Sequence, residues 1–251
     1  MTQRKTALVT GAASGIGLAV ARRLIARGVT TIMVDRTPAV ADLASALSAD
    51  GEAASGHVVD LGDHDALRDW LDRRRAGHAV IDIVVNNAGI HPTKNGSKFN
   101  VEEIGLGEWQ SVLDVNLTAT FLICASLLPA MKRQGWGRIV NIGSSAARNR
   151  PFSPSALYVA SKAAIAGLTR CIAEEAAGFG ITANCVAPGP VETGLTASSS
   201  PDAIAAITRR VPVGRYGTPD EVAAAVEYLV SEDAAFVTGT VFDINGGSTM
   251  N

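Results

Sequence analysis

Short apolar segments alternate with longer stretches whose apolar residues recur at helical spacing. The first unit is a strand pattern from Thr6 to Thr10, a glycine-rich turn, and a helical pattern from Ile16 to Ala26. The same alternation predicts further strands at 31–34, 57–59, 81–85, 138–142, 182–186 and 241–244. It predicts further helices at 40–47, 63–75, 106–133, 155–178 and 219–229. This alternation indicates an α/β fold, a doubly wound parallel sheet of about seven strands with helices on both faces.

Two segments interrupt the alternation. Residues 91–100 are rich in glycine, lysine and asparagine, and residues 189–212 contain a run of three serines and a proline. Both follow the predicted carboxyl ends of strands, the edge at which open α/β sheets bind ligands. We therefore expect substrate loops near 91–100, 145–157 and 190–212.

The length and composition bound the class of protein. The 251 residues suffice for one domain over 1–251 with a sizeable core. Hydrophobic residues make up 47% of the chain, charged residues 18%, and the formal net charge is -2. This balance excludes a disordered chain and provides no basic footprint for nucleic acid. We therefore expect a small-molecule partner and no nucleic acid.

The cysteines and the N-terminal sequence indicate the compartment. Cys124, Cys171 and Cys185 lie in apolar segments without metal-ligand spacing, and an odd, sparse count suits a reducing environment. Residues 1–5 lead directly into the first strand, without an apolar signal segment. No uninterrupted apolar stretch approaches the length that spans a bilayer. The chain is therefore expected to be cytoplasmic and soluble, without a membrane partner.

The glycine-rich turn lies between a predicted strand and a predicted helix. Its sequence, Thr10-Gly11-Ala12-Ala13-Ser14-Gly15-Ile16-Gly17, has the spacing Gly-x-x-x-Gly-x-Gly. In this position glycines permit a tight bend and let backbone N–H groups approach a pyrophosphate at the helix N-terminus. The turn predicts a Rossmann-type dinucleotide-binding site, against the alternative of a bare connecting turn.

Asp35 and Arg36 stand where the second predicted strand ends. An acidic residue at this distance from the turn accepts hydrogen bonds from the adenosine ribose and repels a 2′-phosphate. Asp35 therefore favours NAD, with NADP as the lesser alternative. Arg36 acts in the other direction if it pairs with a 2′-phosphate, and otherwise it lies in solvent or stacks on adenine.

Tyr158-Val159-Ala160-Ser161-Lys162 follows Ser144 by fourteen residues. A phenol and an ammonium four residues apart share one helix face, so the cation is expected to lower the phenol pKa. Such a tyrosinate takes the hydroxyl proton when a hydride leaves a carbinol carbon, and Ser144 steadies the oxygen. A surface pair is the alternative. No metal is predicted, because ligand spacing is missing among the four histidines His57, His64, His78 and His91.

The order of these motifs resembles the short-chain dehydrogenase/reductase family, in its short single-domain branch. The motifs are, in order, the glycine-rich turn, Asp35, Asn86-Asn87-Ala88-Gly89, Asn116, Ser144, Tyr158-x-x-x-Lys162 and Pro188-Gly189. The resemblance covers essentially the whole chain, and the layout is similar to 3-oxoacyl-[acyl-carrier-protein] reductases. It implies hydride transfer between a nicotinamide cofactor and a secondary alcohol or ketone.

The resemblance also implies catalytic roles. Tyr158 would be the acid/base, and Ser144 would orient the substrate, with Ser145 as the less favoured registration. Lys162 would lower the tyrosine pKa and bind the nicotinamide ribose. Asn116 would hold a water of the proton relay.

A larger set of residues is implied to contact the cofactor. Its members are Gly11, Ser14, Gly15, Ile16, Gly17, Asp35, Arg36, Asp60, Leu61, Asn87, Ala88, Gly89, Tyr158, Lys162, Pro188, Gly189, Val191 and Thr193. Asp60 would meet the adenine edge or cap the following loop, and Asn86 to Gly89 would be mainly structural. Thr193 would contact the carboxamide, and Gly189 would serve turn geometry. The C-terminal segment from Gly239 to Gly247 would pack between subunits of a homotetramer.

The substrate class stays open at this stage. The similar reductases generally prefer NADPH, whereas Asp35 favours NAD, so we expect a catabolic dehydrogenase of a hydroxy acid, polyol or sugar derivative. The alternatives are an NADPH-dependent 3-oxoacyl-thioester reductase, a dehydratase or epimerase, and a catalytically inactive nucleotide-binding scaffold. An esterase is excluded because Ser144 lacks a Gly-x-Ser-x-Gly elbow. Five basic side chains would favour an acidic substrate or form a solvated rim: His91, Lys94, Lys98, Arg148 and Arg150.

Overall fold

Parallel strands form the centre of the molecule. The computed structural model describes residues 4–48, 51–77, 80–94, 97–148, 154–194 and 201–250, with the side chain of Pro201 left out. Within these ranges the strands are β1 (Thr6–Thr10), β2 (Thr30–Asp35), β3 (Ala54–Val58), β4 (Ile83–Asn86), β5 (Gly137–Ile142), β6 (Ile181–Pro188) and β7 (Val241–Ile244). They pair in parallel in the order β3-β2-β1-β4-β5-β6-β7. The predicted doubly wound sheet is confirmed, and its chain order reverses between β1 and β4, where such sheets bind ligands.

Helices connect the strands. They are α1 (Gly15–Ala26), α2 (Ala39–Leu47), α3 (His64–Ala76), α4 (Leu106–Leu113), α5 (Ala119–Gln134), α6 (Ala156–Ala176), α7 (Pro201–Thr208) and α8 (Pro219–Leu229). The single helix predicted over 106–133 contains a π-helical turn, Asp114–Thr118, between α4 and α5. The expectation of a loop throughout 189–212 is wrong at α7. Its serine-rich approach suggested a loop, but Pro201 suits a first helical turn and an apolar, alanine-rich sequence follows it.

Two hydrophobic cores lie on opposite faces of the sheet. Ala7 and Val9 of β1 belong to the core that includes α1 and α8, whereas Leu8 belongs to the core that includes α3, α5 and α6. Successive strand residues point to opposite faces, so a strand buried on both sides is continuously apolar. The helices therefore cover both faces, as predicted. The assignment of 1–251 to a single domain stays a prediction.

A buried polar chain joins α6 to the sheet. Asn86 of β4 donates to the Asn141 side-chain oxygen of β5 at 2.8 Å, and Asn141 donates to the Thr169 hydroxyl of α6 at 2.9 Å. Each such bond contributes about 1 kcal/mol net, but an unpaired partner would cost more. The chain fixes how α6 lies against the carboxyl end of the sheet.

Two helical segments meet the length and composition of a membrane span. They are Leu106–Gln134, of 29 residues, and Ala156–Phe179, of 24 residues, and 39% of the apolar window of each is buried within the protein. The sequence shows no uninterrupted apolar stretch of that length, but these helices carry few charges. Core helices of soluble proteins meet the same criteria, and both segments bury one side against the sheet.

Candidate active site

The glycine-rich turn folds tightly against the end of β4. Gly11 and Gly15 have φ of 63° and 52°, in the left-handed region that favours glycine. A Cβ at Gly11 would lie 2.9 Å from the Ala88 Cα, and a Cβ at Gly17 would collide with the Gly11 carbonyl. The backbone is therefore exposed on the ligand side of the turn.

Asn87 and Thr10 tie β4 to β1 beside this turn. The Thr10 hydroxyl accepts from the backbone N–H of Asn87 at 3.0 Å and of Ala88 at 3.1 Å. The Asn87 side chain donates to the carbonyls of Thr10 at 2.9 Å and Gly11 at 3.1 Å. These bonds account for a structural role of the Asn-Asn-Ala-Gly motif.

The residues around the turn fit a nicotinamide dinucleotide. Ser14 precedes α1 in extended conformation, and its side chain does not cap the helix, so the first N–H groups of α1 face the ligand side. Gly15, Ile16 and Gly17 form this first turn. When it is bound, the cofactor accepts a hydride from a carbinol carbon or returns one to a carbonyl.

Asp35 is held beside the glycine-rich turn by two backbone groups. One carboxylate oxygen accepts from the Ala13 N–H at 3.1 Å, and the other accepts from the Thr37 N–H at 3.1 Å. The carboxylate is half-buried, whereas the neighbouring Arg36 is exposed. The negative charge is therefore fixed where β2 ends, next to the turn.

Asp60 caps the loop that follows it. Its carboxylate accepts from the Gly62 N–H at 2.8 Å and is exposed, whereas Leu61 is buried. The capping alternative is thus present in the structure. A contact of Asp60 or Leu61 with adenine stays a prediction.

The loop after β6 returns to the start of α1. Val191 forms a bridge to Gly217, and the Thr193 methyl carbon would lie 3.4 Å from a Cβ built at Gly15. Gly189, after Pro188, does not have a positive φ. A Cβ there would lie 2.8 Å from the Asn245 Cα. The expectation that Gly189 serves turn geometry is therefore corrected: the close approach of Asn245 requires it.

Gly189→Ala is expected to lower the free energy of unfolding by about 1–3 kcal/mol, the usual cost of overpacking. Gly194→Ala, five residues along, is the matched control, because nothing lies within 4 Å of a Cβ at that position. Urea denaturation of both variants measures the difference. Equal midpoints would contradict the close-packing account.

Tyr158 and Lys162 lie on one face of α6, at the carboxyl edge of the sheet. The Lys162 ammonium is buried, donates to the Ile142 carbonyl at 2.7 Å, and lies 5.9 Å from the centre of the Tyr158 ring. A Cβ at Gly89 would lie 3.2 Å from this ammonium, so glycine leaves room there. The structure thus brings the predicted pair together.

Ser144 contacts the tyrosine. Its side chain lies beside the Tyr158 phenol and acts to lower the phenol pKa, and its hydroxyl accepts from the Ala146 N–H at 3.2 Å. Ser145 is buried and is the first residue of a short 3-10 helix, Ser145–Ala147. The geometry therefore favours Ser144 over Ser145.

Burial dominates the titration of the pair. It raises the pKa of Tyr158, and the Ser144 side chain offsets only part of that rise. Burial lowers the pKa of Lys162 to about 8. The predicted lowering of the tyrosine pKa depends on Lys162 together with oxidised nicotinamide, and it stays a prediction. In the protein alone the largest influence is burial, which disfavours the charged phenolate, and the ammonium bonds the Ile142 carbonyl rather than the phenol.

Asn116 lies within the π-helical turn, a feature frequent at functional sites. Its side chain accepts from the Ile90 N–H at 2.7 Å and donates to the Ile90 carbonyl at 3.0 Å and the Ser161 hydroxyl at 3.0 Å. Ser161 in turn donates to the Tyr158 carbonyl at 2.8 Å. Sequence reasoning missed Ile90 and Ser161, whose roles depend on tertiary contacts. The water-holding role of Asn116 stays a prediction.

Residues 11–249 match the family model described as Enoyl-(Acyl carrier protein) reductase. The match extends over nearly the whole fold and includes every predicted catalytic position described above. The chain belongs to the short-chain dehydrogenase/reductase family.

Three relatives illustrate the range of this family. A cis-4-hydroxycyclohexanecarboxylate dehydrogenase of Sinomonas cyclohexanicum is 37% identical over 245 residues, 98% of this chain and 96% of the relative. A second relative is a Beutenbergia cavernae protein, assigned as an NAD(P)-dependent gluconate 5-dehydrogenase, whose structure holds NADP at low occupancy. Its TM-score is 0.91 at 37% identity, and the match covers 97% of this chain and 96% of that chain. A 3-oxoacyl-[acyl-carrier protein] reductase of Brucella melitensis with bound NAD has a TM-score of 0.91 at 36% identity, covering 100% and 93%.

Membership settles the reaction class. This dehydrogenase/reductase transfers a hydride between NAD(P) and a secondary alcohol or ketone of a small molecule. The fold places the cofactor residues and the tyrosine at one edge of the sheet, as this reaction requires.

The basic side chains at the rim are partly engaged. Lys94 pairs with Glu103 at 2.9 Å, and Arg148 pairs with Asp243 of β7 at 3.1 Å while also donating to the Val241 carbonyl. Arg148 is therefore held on β7, and its expected place at the pocket mouth stays a prediction. Lys98 is exposed, and Arg150 lies outside the described residues.

Two clefts adjoin the site in the part of the chain that the structure describes. The larger, of about 850 Å³, opens between α1, the loop after β6 and α7, with Gly15, Thr193, Ile204 and Tyr216 in its wall. The smaller, of about 310 Å³, lies beside Ile90 and the start of α4. The helix α7 within the predicted loop 190–212 thus forms one wall. Residues 149–153 and 195–200 of the predicted substrate loops lie outside the described residues.

No group of three or more His, Cys, Asp and Glu side chains suited to a metal occurs among the described residues. His78 lies outside them. The expectation that the reaction needs no metal stays a prediction.

Proposed function

We propose that this protein is an NAD-dependent dehydrogenase of an oxygen-rich secondary alcohol, such as a hydroxy acid, polyol or sugar derivative. The observation that carries the proposal is the Asp35 carboxylate, fixed by Ala13 and Thr37 beside the glycine-rich turn. A fixed negative charge there accepts from ribose hydroxyls and repels a 2′-phosphate.

Tyr158 takes the carbinol proton during oxidation and returns it during reduction. Ser144 lies beside the phenol, so an alcohol oxygen bound between them would meet both hydroxyls. Ser144 donates to the oxygen as its negative charge develops. This pair therefore both holds the reacting oxygen and moves its proton.

Lys162 supplies positive charge close to the phenol. Its ammonium is buried near Gly89 and Ile142, where a cofactor ribose is expected. Burial lowers the pKa of Lys162 to about 8, but this value is still above neutral pH, so the ammonium stays mostly charged there. A low dielectric strengthens the effect of that charge on the tyrosinate.

Asn116 positions the machinery. It clamps the backbone at Ile90 and, through Ser161, the first turns of α6 that carry Tyr158. We propose that a water of the proton relay binds at this junction.

The substrate assignment draws on the relatives. Gluconate and cis-4-hydroxycyclohexanecarboxylate, named for two of them, are hydroxy acids. The Brucella melitensis reductase supports the alternative, a 3-oxoacyl-thioester reductase. A cytoplasmic location and a homotetramer complete the proposal.

An oxidation screen tests the proposal. Hydroxy acids, polyols and plain secondary alcohols are mixed with the protein and either NAD or NADP, and in a second arm a 3-oxoacyl thioester is mixed with the protein and either NADH or NADPH. Absorbance at the reduced nicotinamide band is followed in both arms. The expected result is turnover of at least one hydroxy acid or polyol with NAD. Turnover confined to NADPH and a 3-oxoacyl thioester would establish the alternative, and no turnover of any kind would favour the inactive scaffold.

A further inference from the structure

His91 lies directly against the proposed catalytic tyrosine. Its imidazole and the Tyr158 ring have centroids 4.9 Å apart and an interplanar angle of 54°. The side chain is half-buried, in the loop that follows β4. Among the aromatic pairs of the described residues, His91 is the ring that packs against the reacting phenol.

The position of the imidazole is fixed from two sides. Asn116 binds both backbone groups of Ile90, the preceding residue. The backbone N–H of Ser155, at the start of α6, donates to Nε2 of His91 at 3.4 Å. Ser155 is itself buried, and its hydroxyl accepts from the Phe99 N–H at 2.9 Å. The ring is therefore held against Tyr158 by the same junction that positions α6.

These contacts determine which nitrogen carries the proton. Nε2 accepts a hydrogen bond, so it has no proton in the neutral ring, and the proton is on Nδ1. Burial lowers the pKa of His91, which keeps the ring neutral at physiological pH. The imidazole thus offers one N–H donor, at Nδ1, on a ring that packs against Tyr158.

We propose that His91 is a specificity-determining residue whose Nδ1–H donates to a second oxygen of the substrate, a hydroxyl or carboxylate close to the carbinol carbon. The inference rests on the proposed function, in which Tyr158 receives the carbinol proton. The His91 and Tyr158 rings are in contact. When the reacting oxygen of a substrate binds at Tyr158, the substrate atoms closest to the His91 ring are therefore those near the carbinol carbon. Substrates without the second oxygen leave a partly buried donor unpaired and are discriminated against.

Matched substrate pairs and ring variants test this role. The pairs are cis-1,2-cyclohexanediol against cyclohexanol, and 3-hydroxybutyrate against 2-butanol, each with saturating NAD. His91→Phe keeps an aromatic ring against Tyr158 but removes the donor, and His91→Gln keeps an N–H donor. His57→Phe is the control, since His57 lies on β3 against Trp70, away from Tyr158. Circular dichroism and NADH titration establish that each variant is folded and binds cofactor.

The expected result is a selective loss. For whichever of cis-1,2-cyclohexanediol and 3-hydroxybutyrate is the better substrate, kcat/KM falls by about 10- to 100-fold in His91→Phe, because the second oxygen of the substrate loses its donor. It partly recovers in His91→Gln. For the plain alcohols it changes by less than about threefold, because packing against Tyr158 is kept. His57→Phe behaves as the wild type.

Two results overturn the inference while the proposed function stands. Equal losses on both members of each pair would make His91 a packing residue of Tyr158, and unchanged constants would remove it from the site. If the wild type oxidises none of the alcohols with NAD or NADP, the proposed function fails and the inference fails with it.

Discussion

Tyr158→Phe is expected to lower kcat by about 10²- to 10⁴-fold, the usual contribution of a positioned acid/base. The ring keeps its contact with His91, and only the hydroxyl beside Ser144 is removed. Cofactor affinity should change little, because the variant leaves the glycine-rich turn and Asp35 untouched. Steady-state kinetics and NADH titration measure the two quantities separately.

The pH dependence of the wild type sharpens this prediction. The phenolate is the active form in oxidation, so kcat/KM for the alcohol rises with pH through the phenol pKa. The phenol is the active form in reduction, so the ketone reaction falls over the same range. The residual activity of Tyr158→Phe should lack this dependence.

Tyr228→Phe is the matched control. Tyr228 lies on α8, is 42% exposed and packs near Phe242, and α8 covers the opposite face of the sheet from α6. It should retain wild-type kinetics. A Tyr158→Phe variant that keeps more than about a tenth of the wild-type kcat would contradict the assignment of the acid/base, given the size of such effects.

Asp35→Asn is expected to shift the ratio of NADPH to NADH affinity toward NADPH by about 10- to 100-fold. The substitution removes the charge that repels a 2′-phosphate but keeps the size of the side chain. The exposed Arg36 beside it then becomes free to pair with the phosphate. Fluorescence titration of both reduced cofactors gives the ratio.

Asp42→Asn controls for net charge. Asp42 is an exposed residue of α2 and undergoes the same change of charge. The ratio of NADPH to NADH affinity of Asp42→Asn should match that of the wild type. If Asp35→Asn leaves the ratio unchanged, the carboxylate does not select the cofactor.

The fold was largely predictable because both faces of the sheet are buried. The bounds of α8 and β7 agree with the sequence prediction. In α8 a capping box between Thr218 and Glu221, with Pro219 in the first turn, marks the start of the helix. The predicted start of β3 is late by three residues, since Ala54, Ser55 and Gly56 have little strand propensity and pair only as an edge strand. The π-helical turn has no periodic signal in the sequence.

The relative placement of the candidate site residues was predictable, but their electrostatics were not. The spacing of Tyr158 and Lys162 placed both on one helix face, as found. It did not reveal that Lys162 bonds the Ile142 carbonyl, or that Arg148 pairs with Asp243. Both depend on strands distant in sequence. The raised pKa of Tyr158 likewise arises from tertiary burial, which local spacing does not encode.

A titration of the wild-type protein with NADH and with NADPH, followed by nicotinamide fluorescence, tests the central claim most directly. The account predicts that NADH binds at least about tenfold more tightly, because Asp35 repels the 2′-phosphate. Tighter binding of NADPH would contradict it, would make Arg36 the dominant group, and would identify a biosynthetic carbonyl or 3-oxoacyl reductase.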